Sequence, residues 1–103
     1  MKITFTFRHM DSSDALKEHT ASKLERLSRF EDRELSIAVT FTTEKFHKSV
    51  EFQVTNASST FVAGETRDDM YEAIDLAIDK LDRQLSRDKS KRKHHKGATP
   101  DEE

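Results

Sequence analysis

Residues 35–63 read LSIAVTFTTEKFHKSVEFQVTNASSTFVA, and the fold is decided by their period. Leu35, Ile37, Val39 and Phe41 share one face, as do Val50, Phe52 and Val54, and more briefly Phe61 and Ala63. Alternation at period two marks strands with one buried side. The connections Glu44–Lys48 and Asn56–Ser59 are short and polar, which predicts an antiparallel meander. Upstream of the polar break Glu31-Asp32-Arg33-Glu34, Leu16, Thr20, Leu24 and Leu27 recur at helical spacing to about Phe30. Ser13 suits the N-cap of that helix and Asp14 the positive end of its dipole. Before it, Ile3, Phe5 and Phe7 point one way and Lys2, Thr4 and Thr6 the other, as in a first strand. Downstream, a second helix opens at Asp68/Asp69, where Asp69 and Glu72 have capping-box spacing. It is expected to bury Tyr71, Ile74, Ile78, Leu81 and Leu85. The order is β-α-β-β-β-α. Apolar faces of this kind predict an α+β domain, two helices packed on one face of a four-stranded sheet. The domain is expected over residues 1–87. From Asp88 to residue 103 Ala98 is the only apolar residue, so a frayed or disordered tail is expected.

One domain is also what 103 residues allow. Apolar residues are 33% and charged residues 37%, against roughly 45–50% and 25% in ordinary globular chains. The core must be thin and the surface heavily charged. Zero cysteines exclude disulfides, thiolate zinc sites and a cysteine nucleophile. Two glycines cannot build a phosphate-cradling loop. No apolar run approaches a membrane span, and MKITFTFRH is no signal peptide, so a soluble, cytoplasmic chain is expected. No nucleophile ordering and no H-E-x-x-H appear, which argues against an enzyme and against a cofactor. His94-His95 reads more simply as part of a basic tail than as metal ligands, and Glu72, Asp75 and Asp79 as a solvated acidic edge.

The net charge of −2 conceals two opposed blocks. From Lys80 to Lys96 eight bases face two acids, giving +6, so the rest of the chain carries ten bases against eighteen acids, −8. At about 100° per residue, Lys80, Arg83, Arg87 and Lys91 gather opposite the apolar stripe of the second helix. Glu72, Asp75, Asp79 and Asp82 occupy one flank between them. In the first helix His19, Ser22, Lys23, Arg26 and Arg29 line one flank of the apolar stripe. Two basic ridges beside KSKRKHHK fit a polyanion better than mere solubility, because each neutralised phosphate releases counterions. The far sheet face would carry Thr4, Thr6, Ser36, Thr40, Thr42, Ser49, Gln53 and Thr55. It lacks the stacking aromatics of an RNA-recognition motif, and the element order differs as well.

Arg8-His9, Ser13-Asp14-Ala15-Leu16 and Lys23-Leu24-x-Arg26-Leu27-x-Arg29 resemble the first helix region of the ribosome hibernation promoting factors. Asp69-Met70-Tyr71-Glu72-Ala73-Ile74-Asp75, continuing through Asp79-Lys80-Leu81-Asp82-Arg83-Gln84-Leu85, is similar to that family's second helix almost position for position. The resemblance covers about residues 1–96. It departs at Phe7, where the family often has a small residue, and at Asn56-Ala57-Ser58-Ser59, where a glycine is common. No second, dimerising domain is matched, so the resemblance is to the short form or the related ribosome-associated inhibitor. It implies a fold similar to double-stranded RNA-binding domains, binding to the small ribosomal subunit in the mRNA and tRNA channel, and reversible silencing of translation. It leaves open an accessory ribosome-dimerising factor. Expected rRNA contacts are Arg8, Lys23, Arg26, Arg29, Lys80, Arg83, Arg87, Lys91 and Arg92. A generic double-stranded RNA-binding or RNA-chaperone module, or a basic tail for an acidic protein, are the alternative readings.

Overall fold

The computed structural model describes residues 1–97, with side chains through Lys91. The elements are β1 (Lys2–Arg8), α1 (Asp14–Leu24), a 3₁₀ segment (Glu25–Phe30), β2 (Ser36–Glu44), β3 (His47–Thr55), β4 (Thr60–Arg67) and α2 (Met70–Gly97). One sheet of order β1-β2-β3-β4 holds all four strands. β1 runs parallel to β2, with α1 as the crossover such a pair requires, and β2, β3 and β4 form the expected antiparallel meander. Glu44 pairs with His47, so Lys45 and Phe46 make a two-residue turn, and Lys45 carries the positive φ (57°) that tight hairpins need. At the next turn the Asn56 side chain accepts the Ser58 and Ser59 amides at 2.9 and 2.8 Å, an Asx-turn that closes β3 onto β4.

Ile37, Val39, Phe41, Val50, Phe52 and Val54 are buried beneath the helices. Ile3, Phe5 and Phe7 are only half-buried because β1 is an edge strand, and their rings lean inward: Phe5 and Phe7 both stack on Phe41, at centroid distances of 6.2 and 5.0 Å. The opposite face is polar as expected apart from Ala38 and the half-exposed Val62, and among the described residues no phenylalanine or tyrosine stands on it.

Three features depart from the sequence reading. The α-helix that starts where Ser13 Oγ accepts the Leu16 amide (3.2 Å) ends at Leu24, not Phe30. Leu24, Leu27 and Phe30 are spaced by three, and three residues per turn puts all of them on one buried line. Secondly, Tyr71 is 42% exposed; Met70, Ala73 and Ala77 complete the buried face of α2 instead. Thirdly, α2 continues to Gly97, where loss of regular structure was expected from Asp88. The Lys and Arg of this stretch favour helix, and no glycine or proline interrupts it before Gly97. Its apolar packing does end at Leu85, beyond which Lys89 donates to the Arg29 carbonyl (3.2 Å) and sits over the Phe30 ring (5.8 Å). The residues 98–103 of the expected tail lie outside the described residues.

Candidate nucleic-acid interface

α2 positions the charges. With Ile74, Ile78, Leu81 and Leu85 buried against the sheet, its remaining surface divides into two flanks and an outer back. The flanks turn out to be chemically opposite.

The flank toward α1 is acidic and paired. Asp75 Oδ1 meets His19 Nε2 at 2.9 Å, and the His19 ring stands edge-on to Tyr71 with centroids 4.9 Å apart. Arg26 donates to Asp79 (2.8 Å) and to Asp82 (3.1 Å), and Arg29 donates to Asp82 (2.7 Å). Burial opposes the Arg26 charge, yet the bonds from Asp82 and Asp79 outweigh it and hold the guanidinium above the ordinary arginine value. The expected solvated acidic edge is therefore corrected: Asp75 and Asp79, with Asp82, are the seam joining α2 to α1 and the 3₁₀ segment. The one trace of the seam in the sequence is a shared spacing. Arg26/Arg29 and Asp79/Asp82 are opposite charges at the same three-residue spacing.

The flank toward β4 works on an edge strand. Lys80 Nζ lies 2.6 Å from Glu65 and donates to the Gly64 carbonyl at 3.1 Å, while Gln84 donates to the Val62 carbonyl at 3.0 Å. The Lys80 bond, against the cost of burial and with help from Arg67, holds the Glu65 carboxyl below its usual range.

The back of α2 carries Arg83, Arg87 and Lys91, all exposed, at four-residue spacing and hence about 6 Å apart along the axis. Among the described residues no hydrogen bond or ion pair engages these three side chains. Lys23 is likewise exposed, on α1. The nine expected contacts thus separate. Arg83, Arg87, Lys91 and Lys23 are open cations; Arg26, Arg29 and Lys80 are already paired; Arg8 stands on the far sheet face, in a row with Thr42, Ser49 and Thr66. The Arg92 side chain lies outside the described residues. No group of three or more metal-ligating side chains suited to an ion occurs among the described residues.

The fold and the row define a class, small α+β domains with an open cationic row on the outer helix, and comparison narrows it. The N-terminal domain of Thermus thermophilus Protein Y superposes with a TM-score of 0.78 at 31% identity, covering 84% of this chain and 98% of that one. A ribosomal subunit interface protein from Coxiella burnetii gives a TM-score of 0.81 at 38% identity, over 87% of this chain and 99% of the other. In sequence, the ribosome hibernation promoting factor of Azotobacter vinelandii is 38% identical over 91 residues, 88% of this chain and 85% of that protein. That of Escherichia coli K12 is 34% identical over 96 residues, 92% of this chain and all of the relative. Residues 3–93 match the family described as Sigma 54 modulation protein / S30EA ribosomal protein. The chain belongs to that family.

Proposed function

We propose that this protein binds rRNA of the small ribosomal subunit through the outer row of α2 and silences translation by occupying the mRNA and tRNA channel. The observation that carries the RNA contact is the unpaired row Arg83, Arg87 and Lys91, with Lys23 on α1 as a further open cation. The relatives' names, hibernation factors and a subunit interface protein, supply the ribosome. No catalytic step is needed: a bound domain excludes whatever shares its space, and release restores the subunit. Arg26 and Arg29 contribute as guanidiniums held in place by the seam, and Lys80 must leave Glu65 to reach a phosphate. The domain over residues 1–87 carries the fold, and residues 88–97 extend the cationic helix beyond it. The protein acts in the cytoplasm, where ribosomes are.

The test is competition on purified small subunits. This protein and tRNA should exclude each other, and three matched phosphates give a log–log salt slope of roughly −2 to −3. Simultaneous binding without mutual loss would refute occlusion. Competition without salt dependence would refute the ionic row.

A further inference from the structure

At the end of the sheet where α2 begins, a hollow of about 440 Å³ opens between the β1–α1 loop, the β2–β3 hairpin and the start of α2. Met10, Leu16, Met70 and Tyr71 give it an apolar floor and wall. The Thr43 hydroxyl donates to Met10 Sδ at 3.3 Å and fixes that side chain. Beyond the lining pair Thr43–Lys48, the tip of the same hairpin holds out Phe46, 83% exposed, next to the positive-φ Lys45. Phe46, Val62 and Tyr71 are the large apolar side chains most exposed in the described chain, and two of the three stand at this end. Exposed aromatics beside a methionine-lined hollow mark an interaction surface, and methionine adapts to varied partners.

Charge says which partner. Asp68 and Asp69 line the hollow, Asp11 follows Met10 in the loop, Asp14 opens α1 after Ser13, and Glu72 follows one residue after Tyr71. Asp69 is used by its own helix, accepting the Tyr71 amide at 3.0 Å. Among the described residues, none pairs with Asp11, Asp14, Asp68 or Glu72, whereas Glu65, Asp75, Asp79 and Asp82 are all matched. Lys48 is the one cation among the lining residues. Such a rim repels phosphate and attracts lysine and arginine. We infer that this hollow docks a lysine- or arginine-rich polypeptide segment that inserts an apolar side chain between Tyr71 and the Phe46 hairpin. The molecule then has two ends of opposite preference, nucleic acid at the α2 row and basic protein here.

The direct probe is the labelled peptide RKLFRK, titrated by fluorescence polarisation and by NMR of the methionine methyl groups. Saturable binding should shift the Met10 and Met70 methyls and leave Met1, at the far end of β1, unmoved. F46S and Y71A should each weaken binding at least fivefold, while R83E/R87E should not weaken it. Phe46 is so exposed that F46S should keep the wild-type melting temperature, which separates docking from folding. No saturable binding, or binding insensitive to both substitutions, would overturn the inference. Because no ribosome is present, its failure leaves the proposed function standing, and the reverse also holds.

Discussion

Arg29 and Asp82 are 53 positions apart in the chain, yet the guanidinium donates to the carboxylate at 2.7 Å. The same carboxylate, only 14% exposed, accepts Arg26 Nε at 3.1 Å. Two arginines one 3₁₀ turn apart therefore meet two aspartates nearly one α-turn apart, and a short helical segment is pinned to α2 by side chains rather than by its own length.

Asp82→Ala removes the shared acceptor. Its partners are about half-exposed and can rehydrate, so the loss should be about 1–2 kcal/mol and not the cost of a stranded buried charge. In a domain of this size that lowers the melting temperature by roughly 5–15 °C. The deficit should shrink in high salt, which already weakens the wild-type seam. Calorimetry at two ionic strengths checks both statements.

Arg83→Glu with Arg87→Glu should abolish ribosome binding while changing stability by less than about 0.5 kcal/mol, as exposed substitutions usually do. Arg26→Glu should lose stability as well as binding, because it sets like charges against Asp79 and Asp82. Ribosome pelleting beside a melting curve separates the two classes of arginine.

Thr20 is fully buried and its hydroxyl has no partner among the described residues. Valine keeps the shape and removes the unsatisfied group. Thr20→Val should stabilise the domain by about 1 kcal/mol, visible as a higher denaturant midpoint with an unchanged slope.

Glu65 gives an acid-side signature. Its folded pKa lies below the unfolded value of about 4.3, so its contribution is complete above that pH and disappears as pH falls through the folded value. Glu65→Gln should melt lower than wild type at pH 7, and the two curves should converge as pH falls through the carboxyl's lowered folded pKa. A constant gap across that range would show that Glu65 acts by packing alone.

The strands were legible because one residue in two is apolar and the links are short; Ser13 and Asp69 likewise announced their helix starts. What the sequence obscured was pairing across helices. Arg26 and Arg29 look like a free ridge when α1 is drawn as a straight α-helix to Phe30, and the tightened turn after Leu24 is what aims them at α2. Lys80 belongs to the same angular sector as Arg83, but α2 lies close enough to β4 for its long stem to reach Glu65. Tyr71 is apolar enough to suggest core, yet Met70 takes the inward position one residue earlier. Single-helix geometry finds the main buried stripe, errs at helix ends such as Tyr71, and cannot say which neighbour a flank will meet.

The side chains of Lys80 and Gln84, resting on the Gly64 and Val62 carbonyls, also decide how copies of this chain treat one another. They engage two carbonyls of the edge strand β4 and so hinder another strand from adding there, while β1 is the sheet's other border. Its sequence KITFTFR would be a ready template for stacking. An antiparallel self-pairing centred on Phe5 would bring Thr4 against Thr6 and Ile3 against Phe7, but Lys2 squarely against Arg8 at both ends. In that register the seam repels itself, which discourages the β1 border from recruiting its own kind.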